Sequence, residues 1–205
     1  MKKKGLLLAA ILMAVLCIPA QGAEDDDFGI WTAVTINKGW DKFYATGRVE
    51  YRSKENASQL DQFILRAVAG YKISPWLKAD AGYDHIKGPS SEKNRLLLSA
   101  TATLKSGNLK ASVRERYIRA WTVGGNASNV LRSKLKVQYS IQQSIVSPYL
   151  AVEMFTWDKW NKTRHYAGAE IGFGKFSKVD VFYMYYTFDG KSAEHVAGLT
   201  YSFSF

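Results

Sequence analysis

Apolar and polar residues alternate with period two in one segment after another. Leu96, Leu98, Ala100, Ala102 and Leu104 are interleaved with Arg95, Leu97, Ser99, Thr101, Thr103 and Lys105. Leu131, Ser133, Leu135, Val137, Tyr139 and Ile141 are interleaved with Arg132, Lys134, Lys136, Gln138 and Ser140. Successive side chains of a strand point to opposite faces, so each segment has a greasy face and a polar face. No apolar stripe at helical spacing competes with this pattern after Phe28. The alternating segments are 28–37, 43–52, 61–73, 77–85, 95–105, 109–120, 130–141, 148–156, 164–173, 178–188 and 195–205, most of them ten to thirteen residues long. That is close to the ~9–11 residues of a tilted transmembrane strand and well above the ~5–6 of a typical soluble strand.

The connections alternate too. Short turns at 38–41, 74–76, 106–108 and 174–177, and a slightly longer one near Gln143, interleave with longer polar stretches at 53–60, 86–94, 121–129, 157–163 and 189–194. Together these features predict an all-β fold, an antiparallel transmembrane β-barrel of about ten strands (10 to 12) with short periplasmic turns and longer extracellular loops. The rings fit that reading, since amphipathic aromatics settle at the two membrane interfaces. On the apolar face Phe43, Tyr71, Tyr139, Phe173 and Phe205 fall near the short turns, and Tyr51, Phe63, Tyr83 and Tyr117 near the longer loops. A secreted soluble barrel or sandwich would explain alternation, but not strand length, ring placement or loop asymmetry.

The first residues read as an export signal rather than as part of the fold. Lys2, Lys3 and Lys4 precede an apolar run from Leu6 to Ala20, and small residues at Ala20, Gly22 and Ala23 come before the acidic stretch from Glu24 to Asp27. The run contains Pro19 and is shorter than the ~20 residues a spanning helix needs. The domain division is therefore 1–23 as a cleaved signal peptide and 24–205 as the barrel. Cleavage removes three Lys and leaves 25 basic against 18 acidic residues, a net +7. It also removes Cys17, the one cysteine, which follows Leu16 rather than the small residue a lipoprotein signal requires. An exported mature chain without cysteine has no disulfide, thiol nucleophile or thiolate metal site.

The last eight residues, GLTYSFSF, alternate to the terminus, with Leu199, Tyr201, Phe203 and Phe205 on one face. This ending resembles the C-terminal signal of outer-membrane barrels, in which Tyr201, Phe203 and Phe205 would be read by the barrel-insertion machinery. FGIWTAVTI with Trp31, GRVEYR, VRERY, PYLAVEMF with Glu153, RHYAGAEIGF with Arg164 and the terminal octet together resemble a family of small Gram-negative outer-membrane barrels classed as a domain of unknown function. The resemblance covers the whole mature chain. It implies location in the bacterial cell outer membrane, with lipid and lipopolysaccharide as neighbours, and carries no activity.

The face opposite the rings is dense with charge. Arg48, Glu50, Arg52, Arg66, Arg114, Arg116, Arg132, Glu153, Arg164 and Glu170 are the expected luminal network, and Lys72, Lys78, Asp80, Asp84, Lys134, Lys136, Lys178 and Asp180 share that face. Buried charges are tolerable only when paired and hydrogen-bonded, and opposite signs are interleaved on neighbouring strands, so the expectation is a paired, partly hydrated plug. Glu153 and Arg164 should face each other across one hairpin. Basic residues are in excess, so an open lumen would instead prefer anions.

Rim chemistry is the third possibility. His85, His165 and His195 all fall at the loop ends of their segments. Asp84 and His85 are adjacent, and so point to opposite faces, unlike the Asp-x-His of omptin-type proteases. None of the three is followed two residues later by Ser, as in outer-membrane phospholipase A. No Ser/His/carboxylate set can be assembled, so no catalytic residue, metal or cofactor is assigned. The Lys and Arg residues are spread through alternating strands rather than gathered on one element, which argues against nucleic acid. The chain is expected to be a monomer.

One problem remains. Counting back from Phe205, ten strands reach Phe43 and leave 28–37 as an eleventh, whereas bacterial barrels close with an even number. That segment is therefore a possible extra luminal or capping strand, or else the count of wall strands is off by one.

Overall fold

The computed structural model describes residues 26–122, 125–157, 159–188 and 191–205. The expected signal peptide, 1–23, lies outside the described residues. Eleven strands follow one another in an up-and-down order: β1 (Asp27–Trp40), β2 (Phe43–Lys54), β3 (Gln59–Lys72), β4 (Leu77–Lys87), β5 (Glu92–Ser106), β6 (Leu109–Thr122), β7 (Ala127–Tyr139), β8 (Val146–Trp157), β9 (Lys159–Phe173), β10 (Ser177–Phe188) and β11 (Lys191–Ser204). Each pairs with its sequence neighbours, and β1 joins β11 to close the barrel. Closure removes the free edges that would otherwise expose unpaired backbone groups.

Of the two readings of 28–37, the luminal or capping strand is corrected and the miscount holds: the segment forms most of β1, a full member of the wall. β1 pairs antiparallel with β2 from Trp31↔Arg52 to Trp40↔Phe43, and parallel with β11 from Asp27↔Glu194 to Asn37↔Ser204. The cause is connectivity. An up-and-down chain with an odd number of strands returns with its last strand pointing the same way as its first, so the seam must be parallel and entirely antiparallel closure is not available.

The strands are 11 to 15 residues long, longer than the alternation alone marks. The extra length lies at the loop end. β5 begins at Glu92, β9 at Lys159 and β11 at Lys191, all within stretches the sequence assigns to loops, while β2 and β3 are joined by 55–58 and β4 and β5 by 88–91. The expected long loops are thus largely strand, because polar residues continue the hydrogen-bonded ladder past the apolar band. At the other end Asp41 and the glycines Gly107 and Gly174 adopt positive φ (49°, 55° and 65°), which tight hairpin turns require and which Gly takes up without a Cβ penalty.

The apolar face is on the outside. Val49, Leu98 and Leu199 are 44%, 48% and 45% exposed, and exposed rings mark both ends: Phe43, Trp76, Phe173 and Phe205 at the turn end, Tyr51, Phe63 and Tyr83 at the loop end. The interior is mixed, with apolar clusters set among the charged groups. On the β1 and β8–β11 side a cluster of Trp31, Tyr149, Tyr166, Met184, Tyr186 and Val196 faces inward. On the opposite side the buried Ile64 pairs with Ile86, and Leu97 with Ile118. Three inward rings lie across the ladder from glycines: Tyr44↔Gly70, Tyr149↔Gly168 and Phe182↔Gly198. A Cβ on Gly198 would meet Phe182 Cζ at 2.0 Å, so this ring takes the space a side chain would occupy.

Candidate functional site

Four carboxylates organise the luminal charge. Glu153 on β8 is fully buried and gathers Arg132 of β7 at 2.6 Å, Arg114 of β6 at 3.1 Å and Arg164 of β9 at 3.6 Å, while the Tyr166 hydroxyl donates to it at 3.0 Å. Arg164 stands opposite Glu153 in the β8–β9 register. Glu50 is held between Arg48 at 2.8 Å and Arg52 at 2.6 Å, the next inward residues on its own strand. Asp84, also fully buried, accepts a two-pronged pair from Arg66 at 2.6 and 2.8 Å, with Arg95 at 2.9 Å on its other side. Glu170 takes Lys136 at 2.6 Å and Lys178 at 3.0 Å nearer the turn end.

Arginine suits these positions because its planar fork serves a carboxylate and its flat faces still stack on rings. The Arg52 guanidinium lies 3.8 Å from the Trp31 ring centroid, and Arg164 is placed among Trp31, Phe155 and Tyr186 at 4.9, 4.7 and 4.2 Å. Trp31 therefore ties β1 to the arginines of β2 and β9. These contacts lie in the loop-side half of the lumen, where burial is greatest.

Each of the ten luminal residues named from the sequence lies on the inner face. Nine share the Glu50, Asp84, Glu153 and Glu170 clusters or stack within them. Arg116 stands apart: its Nε donates to Ser99 Oγ at 2.8 Å, and its nearest carboxylate, Asp80, is 4.0 Å away. Arg95 and Trp31 are not among the expected luminal residues, Trp31 being named only for the family resemblance and Arg95 only for its place in the alternation. The signal for both was parity, since Arg95 shares a face with the buried Leu97 and Ser99, and Trp31 with Ala33 and Thr35.

The histidines and the terminus lie on the outer side. His85 Nδ1 is 3.0 Å from Asn94 Oδ1, and His195 sits between the Tyr183 hydroxyl and Asp26, the latter at 3.3 Å. Among the described residues no group of three or more His, Cys, Asp or Glu is placed to hold a metal ion. Tyr201 meets Ser177 at 3.0 Å, Phe203 packs near Phe176, and the Phe205 amide donates to the Asn37 carbonyl at 3.1 Å, tying the last residue to β1.

Apolar side chains without, paired charges within and a wall free of edges define an inside-out closed β-barrel. Within that class the chain belongs to the family described as a protein of unknown function, DUF2490, whose model matches residues 28–196. An uncharacterized protein of Methylorubrum extorquens is 25% identical over 197 residues, covering 85% of this chain and 86% of that one. Among solved structures, the NanC porin superposes with a TM-score of 0.53 at 13% identity, over 82% of this chain and 89% of its own. The KdgM porin superposes with a TM-score of 0.51 at 13% identity, over 78% and 84%. At this level of identity the likeness is one of fold.

Proposed function

We propose that the chain is an integral outer-membrane barrel whose loop-side half is closed by a paired-charge plug, so that it stands as a structural wall presenting its rim rather than as an open conduit. The observation that carries this reading is Glu153: fully buried inside the barrel, it draws together arginines from three separate strands. Removing a carboxylate and its cations from water is tolerable only when each satisfies the other, and such a cluster holds the walls together at fixed distance.

The half-exposed aliphatic band, the rings at both ends and the strand lengths support insertion in a bilayer. Outer-membrane lipid and lipopolysaccharide would surround the band, and the insertion machinery would read Tyr201, Phe203 and Phe205 during assembly. The barrel is read as a monomer, exported by the 1–23 signal peptide, with no nucleic-acid partner. A narrow anion-preferring pore is the second reading, favoured by the excess of cations toward the turn end. No feature of the histidine positions favours a rim enzyme.

Two measurements test the proposal. On membrane fractionation the protein should travel with the outer membrane and show heat-modifiable gel migration; a chain that stays soluble without detergent would overturn the location. Proteoliposomes should then exclude small sugars in a swelling assay, whereas swelling at a porin-like rate would overturn the plug.

A further inference from the structure

Cross-strand pairing on the inner face sets like charges directly opposite one another. Arg48 pairs with Arg66, Lys72 with Lys78, Lys105 with Lys110, and Arg114 with Lys134. Like charges in register are destabilising unless something negative lies between or beside them. Glu50, Asp84 and Glu153 serve Arg48, Arg66 and Arg114. Lys78 and Lys134 form no ion pair among the described residues, although Lys134 stands opposite Glu153 in the β7–β8 register; each ammonium lies near a ring, Lys78 at 5.2 Å from Tyr44 and Lys134 at 4.0 Å from Tyr166.

These unmatched groups share one cavity. A space of about 360 Å³ in the turn-side half of the lumen is lined by seven cationic side chains and a single carboxylate, Asp80. One Asp80 oxygen accepts from the Tyr44 hydroxyl at 2.9 Å and the other lies 4.0 Å from Arg116, while among the described residues Arg114 Nε has no hydrogen-bond partner. Burial falls toward the turn end, where Lys72, Lys78 and Lys110 are exposed, and rises toward the loop end, where Asp84, Glu153 and Met184 have no exposed surface. The cavity volume is in the range of small-molecule sites, ~300–1,000 Å³.

We infer that the turn-side half of the lumen is a blind pocket for a compact multivalent oxyanion, with Lys78 and Lys134, which form no ion pair among the described residues, and Arg116, held by Asp80 only at 4.0 Å, supplying the excess positive charge. The hydrogen-bonded wall keeps lipid headgroups out, so the ligand is a solute entering from the turn side. That the pocket is blind rests on the plug proposed above; that it binds an anion does not.

The test is isothermal titration of the folded, full-length barrel in an uncharged detergent with inorganic pyrophosphate. Saturable 1:1 binding that weakens as salt is raised is expected. Lys134→Met and Lys78→Met should each weaken it by roughly tenfold or more, the loss expected for one charge-assisted contact. Lys42→Gln, on a turn outside the cavity, should leave it unchanged. Lys78 lies at the exposed mouth, so its substitution keeps the test intact even if Lys134→Met fails to show heat-modifiable folding. Absence of saturable binding to the wild type, or equal binding by the wild type and Lys78→Met, would overturn the inference. If swelling assays show an open lumen while pyrophosphate still binds, the pocket stands and only the plug falls.

Discussion

Glu153→Gln keeps the shape of the side chain at the centre of the plug and removes its charge. Arg132 at 2.6 Å, Arg114 at 3.1 Å and Arg164 at 3.6 Å would then face one another with no carboxylate among them. Removing one partner from a buried ion pair costs about 3–5 kcal/mol. Here the lower end applies: the Arg114 side chain is 27% exposed and can turn toward water, and Arg164 keeps its aromatic neighbours. A loss of about 3 kcal/mol corresponds, at an m-value of about 2 kcal/mol/M, to a fall of about 1.5 M in the urea midpoint. The assay is reversible unfolding in lipid vesicles followed by tryptophan fluorescence. Adding Arg132→Gln should recover part of the loss, with a coupling of about 1–3 kcal/mol in the double-mutant cycle. A midpoint shift under about 0.5 M, equivalent to an exposed surface pair, would refute the reasoning.

Three further outcomes follow from the fold and from the proposed assembly signal. Gly198→Ala should destabilise the barrel by about 1–3 kcal/mol in the same assay, because its Cβ would overlap the Phe182 ring, and Phe182→Ala on top of it should relieve most of that strain. Cysteines at Thr32 and Leu199, which are register partners on the outer face of the β1–β11 seam, should crosslink on mild oxidation and shift the folded band on a gel; an uncrosslinked pair would contradict parallel closure. The sole natural cysteine, Cys17, belongs to the expected signal peptide and should not interfere. Deleting Phe205 should lower the amount of folded protein in cells while leaving refolding into detergent intact, and equal yields in cells would discount the terminal ring as an assembly signal.

The wall was legible because period-two alternation is local: parity along each strand places Arg48, Glu50 and Arg52 on one face and Val49 and Tyr51 on the other. The same rule carried Glu153 and Arg164 into the lumen. Closure was not legible, because it depends on how many strands join rather than on any one of them. The even-number expectation displaced 28–37 from the wall, and with it Trp31, whose ring receives Arg52. The loop-end extensions were hidden for a different reason. Residues such as Glu92, Lys93 and Asn94 carry loop composition, yet they pair with Lys87, Ile86 and His85 because a hairpin already aligned continues its ladder. Which cations would find a carboxylate was equally out of reach. Arg114 and Lys134 are both inward cations by parity, and although Lys134 is the one opposite Glu153 in register, it is Arg114 that reaches the carboxylate while the Lys134 ammonium lies over Tyr166.

Planar-bilayer recording on the folded wild-type barrel bears most directly on the closed lumen. With the Glu50, Asp84 and Glu153 clusters intact, the protein should insert without producing discrete conductance steps, and Glu153→Gln should bring on intermittent openings as its arginines separate. Stable, anion-selective steps from the wild-type protein would contradict the plug and establish the narrow pore in its place.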